Sequence, residues 1–140
     1  MERVMNGDYS KVAIDSNCFI YLIEGSPYVD QLTQLFQKIE NSSLVAVTSI
    51  LTLIEILVGP YKSKDYKLIE EYRTTLLNFP NLAFREMDFN IAIKAAQCRA
   101  DYGLKMPDAI QLATAILDKA DVFITNDRDF KNVVFPVIFL

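Results

Sequence analysis

The chain of 140 residues contains no histidine, and this absence excludes several kinds of catalytic and metal site. A Ser-His-Asp triad needs an imidazole base, and so does a cysteine nucleophile that histidine activates. Metal sites built on histidine ligands are excluded for the same reason. Any general base in this protein must therefore be a carboxylate, a lysine, a tyrosine or a metal-bound water.

Cysteine is also scarce, because the chain has only Cys18 and Cys98, far apart and without a CxxC pattern. Such residues are typical of small buried apolar side chains in a reducing compartment. The polar residues 1–10 contain no secretory signal. The longest weakly charged run, residues 44–58, is shorter than the ~20 residues of a membrane span, and Glu55 interrupts it. The sequence therefore predicts a cytoplasmic protein with no membrane segment.

The composition fits one domain with an acidic balance. Hydrophobic residues make up 51% of the chain, which is enough for a full core and leaves apolar surface for a partner chain. The formal net charge is −4. This charge argues against binding nucleic acid by bulk attraction, but it allows a nucleic-acid enzyme whose acidic residues hold cations.

Strand-like and helix-like segments alternate along the chain, which predicts a parallel α/β sandwich in a single domain. We expect residues 1–10 to be a loose N-terminal lead-in and residues 11–140 to form the domain. Pro136 indicates that the last strand lies at a sheet edge. The predicted strands cover residues 12–14, 44–47, 81–87, 121–125 and 133–140.

Helices are predicted between the strands from apolar residues spaced three and four apart and from their end signals. Thr48 and Ser49 are expected to cap a helix that closes at Gly59-Pro60. Pro107 fits the first turn of a later helix. The predicted helices cover residues 17–24, 27–40, 50–58, 62–79, 89–102 and 108–119.

Asp15 directly follows the first predicted strand, and Ser16 and Asn17 follow it where a helix must start. In an open α/β sheet the C-terminal ends of the strands face the crevice that binds ligands. A buried carboxylate there is costly unless it has a partner. A helix N-cap is the structural alternative for Asp15, and these residues alone leave both interpretations open.

Asp127 and Asp108 occupy comparable positions. Asp127 follows the fourth predicted strand, and Asp108 falls in the first turn of an apolar helix, where the helix dipole favours a carboxylate. Asp129, two residues beyond Asp127, is a natural turn residue. Each of these residues therefore also has an ordinary explanation as a cap or a turn former.

Glu55 is the only charged residue between Glu40 and Lys62, and apolar residues surround it on the predicted helix. We expect it to be buried, where a charge needs an opposite charge or a metal. The alternative is a narrow exposed stripe that Glu55 shares with Thr52 and Gly59.

Taken together, the four carboxylates favour a metal site. Right-handed parallel connections place all strand C-termini at one sheet edge, so two strand ends, one helix start and one helix position deliver a carboxylate there. Carboxylates so close together raise one another's proton affinity, and divalent cations would resolve the repulsion. Oxygen ligands without histidine suit Mg²⁺ or Mn²⁺. Such ions would support hydrolysis of a phosphodiester bond. The four residues are Asp15, Glu55, Asp108 and Asp127.

Four short motifs point to a known family. They are Asp15-Ser16-Asn17 with Ile20 and Leu22, Ser49 through Glu55 to Gly59, Asp108-Ala109 with Ala113-Thr114-Ala115, and Thr125-Asn126-Asp127-Arg128-Asp129-Phe130. In this order they resemble the motifs of PIN-domain ribonucleases, and the chain is most similar to the VapC-type toxins of bacterial and archaeal toxin–antitoxin pairs. The resemblance extends over nearly the whole chain, and the fourth motif is its most specific part.

The resemblance implies a five-stranded parallel sheet in the order 3-2-1-4-5, an Mg²⁺ or Mn²⁺ cofactor and an RNA substrate. It also implies a homodimer and a small antitoxin protein that blocks the crevice. Family members usually have their first Asp closer to the start, so the lead-in here departs from the pattern. The catalytic and metal-binding acids would be Asp15, Glu55, Asp108 and Asp127, of which Asp15 and Asp108 would be the surest metal ligands. The residues supporting the cofactor would be Ser16, Thr125 and Asn126.

Other functions fit parts of the pattern. A catalytically silent PIN-like module that binds RNA or protein is the main alternative, and the complete set of acids argues against it. A phosphoacceptor domain would need a second acid before the end of the first strand and a lysine after the last, and residues 133–140 contain no lysine. A hydrolase of small phosphate esters stays open. Lys62, Lys64 and Lys67 could form a phosphate track, although a solvated helix face is the favoured explanation.

Overall fold

Five strands form the central sheet: β1 (Lys11–Ile14), β2 (Val45–Ser49), β3 (Leu82–Arg85), β4 (Val122–Thr125) and β5 (Val137–Phe139). In this computed structural model, which describes residues 1–140, every strand pair is parallel and the spatial order is β3-β2-β1-β4-β5. The predicted α/β sandwich and the implied sheet order are confirmed. β5 lies at an edge, as Pro136 indicated.

Seven α-helices surround the sheet, and a short 3-10 helix follows β4. None of the helices is both long enough and apolar enough to cross a membrane. The helices are α1 (Glu2–Met5), α2 (Ser16–Glu24), α3 (Val29–Glu40), α4 (Leu51–Lys62), α5 (Tyr66–Leu77), α6 (Phe89–Tyr102) and α7 (Met106–Leu117), and the 3-10 helix covers Arg128–Phe130.

The side chains of β1 alternate between two apolar cores. Val12 and Ile14 belong to the core that includes residues of α2 and α3, whereas Ala13 belongs to the core that includes residues of α6 and α7. Successive residues of a strand point to opposite faces of the sheet. Because helices cover both faces, the central strands are continuous apolar runs in the sequence.

The N-terminal residues 1–10 differ from the loose lead-in expected from the sequence. They contain α1, and Val4 is 1% exposed within the core that α3 shares with the sheet. The helix is only four residues long, which is too short to display a helical periodicity, so the sequence did not predict it.

The boundaries of α4 and α5 also differ from the prediction. The helix α4 continues through Gly59-Pro60, because a proline near a helix end removes only one backbone hydrogen bond. The helix ends at its C-cap Ser63, whose backbone N–H donates to the carbonyl of Gly59 at 3.1 Å. The next helix begins after Asp65, whose carboxylate accepts from the N–H of Leu68 at 3.1 Å. A local cap thus sets the start of α5, which the prediction had placed at residue 62.

Asp121 ties the beginning of β4 to the beginning of β1. One of its carboxylate oxygens accepts hydrogen bonds from the Ser10 N–H, the Ser10 hydroxyl and the Lys11 N–H, at 2.9, 3.1 and 2.9 Å. We expect Asp121→Ala to lower the free energy of unfolding by about 1 kcal/mol, since these bonds are solvent-exposed. Urea denaturation measures the change. Asp101→Ala, which removes an exposed carboxylate without such bonds, is the control, and equal stability of the two variants would contradict this role.

Candidate functional site

Asp15 lies between the end of β1 and the start of α2, and its carboxylate is only 4% exposed. The Ser16 N–H donates to Oδ1 at 2.8 Å, so Asp15 does cap the helix. On Oδ2, the hydroxyl of Thr125 donates at 2.7 Å and the side-chain amide of Asn17 at 3.2 Å. The cap and the functional interpretation are therefore compatible, because one carboxylate both caps α2 and lies at the sheet edge.

The pKa of Asp15 is raised to about 6, first by burial and then by the negative charges of Asp108 and Glu55. Hydrogen bonds from Thr125 and Ser16 lower it in part. The carboxylate therefore titrates near pH 6 in the protein without a cation. A group that is both buried and near other acids is a candidate for a functional site.

Thr125 connects two of the candidate acids from a fully buried position at the end of β4. Its hydroxyl donates to Asp15, as described above, and accepts from the backbone N–H of Asp127 at 3.0 Å. It also accepts from the side-chain amide of Asn17 at 3.2 Å. Thr125 was expected to support the site and does contact it. Asn17 was not assigned a role. It follows Asp15 by two residues, and its side-chain amide donates to both Asp15 and Thr125.

Asp108, Asp127 and Asp129 form an acidic cluster, in which carboxylate oxygens of the three residues lie within 4.8 Å of one another. Asp127 caps the 3-10 helix after β4 by accepting from the N–H of Asp129 at 2.9 Å. That helix is anchored by the buried ring of Phe130, which packs against Phe123 with ring centroids 4.9 Å apart. Asp129 was expected only to form a turn. Its place in the cluster depends on α7, which the local sequence does not reveal.

The pKa of Asp108 is raised to about 6, first by partial burial and then by the charges of Asp127 and Asp129. Glu55 raises it further, and Lys105 lowers it in part. The Ser16 hydroxyl lies within hydrogen-bond distance of both Asp15 and Glu55. Thr125 links Asp15 to Asp127, and Asp127 lies beside Asp108 in the acidic cluster. The structure therefore brings the four predicted acids to one sheet edge.

Glu55 is exposed, so the expected buried position is wrong. The helix α4 packs on one side only, and its outer side leaves Ile54 and Val58 62% and 49% exposed. The alternative stripe is also wrong in part, because Thr52 is fully buried. The carboxylate accepts a hydrogen bond from the Ser16 hydroxyl at 2.6 Å, which turns it toward the Asp15 end of α2.

The donor set fits a hard divalent cation. Mutually repelling carboxylates with raised pKa values are the arrangement that Mg²⁺ or Mn²⁺ relieves. Asn126 adds an unsatisfied acceptor, since its buried Oδ1 has no hydrogen-bond partner, while its amide lies 3.5 Å from the Tyr21 hydroxyl. A buried acceptor without a donor is rare and needs an explanation. The available oxygens are therefore chemically suited to a cation.

Cysteine chemistry is excluded at this site. Cys18 and Cys98 are free and buried, as the sequence predicted. Burial raises the pKa of both thiols, so both are neutral at pH 7. Nucleophilic attack needs the thiolate, and neither residue supplies it.

The fold and the acidic edge together define a class of parallel α/β proteins that gather carboxylates at the crevice between β1 and β4. Residues 12–136 match the PIN domain family, and the chain belongs to that family. Membership confirms the resemblance drawn from the four motifs. No curated protein sequence matches the chain.

Several solved structures share this fold. A toxin–antitoxin complex from Klebsiella pneumoniae is 27% identical, with a TM-score of 0.70, and the match covers 91% of this chain and 95% of that one. FitAcB from Neisseria gonorrhoeae is 18% identical, with a TM-score of 0.71 and coverage of 92% and 96%. VapBC2 from Rickettsia felis, bound to a promoter DNA fragment, is 19% identical, with a TM-score of 0.67 and coverage of 91% and 96%. The last two likenesses support the fold alone.

Proposed function

We propose that the chain is a metal-dependent endoribonuclease that hydrolyses RNA phosphodiester bonds and acts as the toxin of a toxin–antitoxin pair. The main support is the convergence of four carboxylates at one sheet edge in a member of the PIN family. Both cysteines are free, which fits a cytoplasmic location. The proposed catalytic and metal-binding acids are Asp15, Glu55, Asp108 and Asp127.

The residues around these acids would keep them ready for a cation. When bound, Mg²⁺ or Mn²⁺ supplies positive charge to the phosphodiester and lowers the pKa of a water. Thr125 orients Asp15 through its hydroxyl, and Ser16 orients Glu55. Asn126 offers its unpaired Oδ1 as a further oxygen at this edge. In a protein without histidine, these carboxylates are candidates for the general base at the scissile bond.

An apolar groove between α2, α3 and α5 supports the antitoxin as a partner. It has a volume of about 270 Å³. Its lining runs along α2 from Phe19 to Ile23 and reaches Leu82 at the start of β3. The related Klebsiella pneumoniae structure is a toxin–antitoxin complex. The apolar residues of the groove include Phe19, Leu22, Ile23, Phe36, Tyr72 and Phe79.

Exposed apolar side chains on α4 and α6 support the proposed homodimer. Burying such side chains against a partner chain is favourable. The residues are Ile54 and Val58 on α4 and Phe89 and Ile93 on α6, which are 49% to 81% exposed.

Cleavage of RNA by the purified protein tests the proposal. We expect cleavage with Mg²⁺ or Mn²⁺, no cleavage with EDTA, and a loss of more than about 100-fold in Asp15→Asn. Asp101→Asn, which changes an exposed carboxylate that makes no hydrogen bond or ion pair, should cleave like the wild type. Single-stranded RNA, structured RNA and DNA of matched sequence should be compared, because the acids do not define the sugar.

Direct measurement of Mn²⁺ binding separates the possible failures. Binding without cleavage of any of these substrates would favour the silent PIN-like module. If the wild type bound no Mn²⁺, the metal-dependent mechanism would be wrong.

A further inference from the structure

A chain of buried hydrogen bonds runs through the middle of the protein, behind the acidic edge. The side-chain amide of Gln111 donates to the Thr52 hydroxyl at 2.9 Å. The hydroxyls of Thr52 and Thr48 lie 2.7 Å apart, and Thr48 donates to the carbonyl of Ile14 at 2.7 Å. The Gln111 carbonyl oxygen accepts from the Ser49 N–H at 3.3 Å. Thr48 was expected to cap α4 and instead takes part in this series of hydrogen bonds.

The donor and the acceptor in each of these hydrogen bonds follow from the number of protons that are available. A hydroxyl has one proton to donate. Thr48 gives its proton to Ile14, so it must accept from Thr52, which in turn accepts from Gln111. Only one arrangement satisfies all three groups. Directed chains of this kind strengthen each bond and penalise any displacement of one partner.

Three of the hydrogen-bonded residues lie close in sequence to a candidate acid. Ile14 precedes Asp15, Thr52 lies three residues before Glu55, and Gln111 lies three residues after Asp108. Residues three apart in a helix are separated by only about 4.5 Å along its axis. The buried bonds therefore hold β1, α4 and α7 at the level of the acids that those elements present.

Stability alone does not account for these polar residues. Side chains of Thr48, Thr52 and Gln111 are at most 2% exposed, and apolar residues of similar shape at such places are often neutral or stabilising. Much of the buried face of α7 is formed by small side chains such as Ala109 and Ala113, which constrain sliding only weakly. A directed hydrogen bond, in contrast, fixes the position of α7 along its axis.

We propose that Gln111 is a positioning residue that sets the spacing between Asp108 on α7 and the acids on α4 and β1, through its bonds to Thr52 and Ser49. This inference rests on the proposed function, since it concerns the same acids. It assigns Gln111 no contact with substrate or cation. Its effect should appear as a change in cation affinity, because groups behind the ligands typically change metal affinity 10–100-fold.

The test measures the Kd of Mn²⁺ by calorimetry for the wild type and for variants whose folding is checked by urea denaturation. Gln111→Met keeps the volume and removes both hydrogen bonds, and we expect its Kd to rise at least about 10-fold. Thr114→Val is the matched control. Thr114 is equally buried on α7, but its hydroxyl donates to Ile110 of the same helix at 2.8 Å. We expect the control to keep the wild-type Kd.

Thr52→Val removes the hydrogen bond between Gln111 and Thr52 from the side of α4. It is a smaller change in shape, so it is the variant to use if Gln111→Met does not fold. For RNA cleavage, the folded variants should show a lower kcat with little change in KM. A wild-type Kd in both Gln111→Met and Thr52→Val would overturn the positioning role while leaving the nuclease proposal intact. Absence of Mn²⁺ binding by the wild type would overturn the nuclease proposal, and the positioning role with it.

Discussion

Replacing Asp108 with asparagine is expected to change activity and stability in opposite directions. RNA cleavage should fall by more than about 100-fold, because the variant removes a proposed cation ligand rather than a group behind one. The free energy of unfolding of the metal-free protein should rise by about 1 kcal/mol at pH 7. The carboxylate has a pKa of about 6, raised by burial, Asp127 and Asp129, and no hydrogen bond offsets this cost.

The size of this gain follows from the pKa with a correction for solvent. A pKa of about 6 in place of 3.8 corresponds to at most about 3 kcal/mol at pH 7, and partial exposure of Asp108 reduces it. Urea denaturation in EDTA measures the stability, and a fluorescent RNA assay measures cleavage. Asp101→Asn is the control for both. A variant that is less stable than the wild type in EDTA would contradict the repulsion inferred for this cluster.

Addition of Mn²⁺ is expected to raise the Tm at pH 7 by roughly 10 °C when the ion is present at about 100 times its Kd. Binding only to the folded state contributes about 2.7 kcal/mol at that concentration, and a chain of this length converts each kcal/mol into a few degrees. The rise should be smaller at pH 5, because protons compete with the ion for carboxylates of pKa about 6.

Without metal, the free energy of unfolding should fall as the pH rises from about 4 to about 6. Asp15 and Asp108 have folded pKa values of about 6, above 3.8 in the unfolded chain. In this range the folded state binds more protons, so its advantage is lost as the pH rises. Asp121 acts in the opposite direction, because hydrogen bonds from Lys11 and Ser10 lower its pKa and their stabilisation is lost in acid. Thermal melts in EDTA between pH 4 and 8 measure the profile.

The double variant Asp15→Asn/Asp108→Asn is the control for both the pH profile of stability and the effect of Mn²⁺ on the Tm. It should show a flatter profile between pH 4 and 6 and no rise in Tm with Mn²⁺. An equal rise in the wild type and the double variant would place the cation elsewhere on the protein.

Sequence and structure agree best where the chemistry is local. Short, β-branched runs that are apolar throughout identified β1 and β4, because strands covered on both faces have that composition. Asp15 and Asp127 then followed from topology, since parallel strands share one C-terminal edge. The helix ends were less certain: α4 continues beyond Gly59-Pro60, because packing of a helix outweighs one lost hydrogen bond.

Glu55 shows why exposure cannot be deduced from neighbouring residue types. Ile54 and Val58 on the same helix are apolar and yet exposed, because only the packing of α4 decides which of its sides is covered. The role of Asp129 also depends on packing. Its own segment explains it as a turn residue, and only the position of α7 brings Asp108 close to it.

By itself the sequence determined the class of fold, the absence of histidine chemistry, and the sheet edge at which Asp15 and Asp127 lie. These depend on residue type and on local periodicity, which a single chain displays. The tertiary structure alone decided that Ser16 joins Glu55 to the Asp15 end of α2, and that Gln111 joins α7 to α4. Such hydrogen bonds link residues 39 and 59 positions apart, and their geometry exists only after the layers have packed.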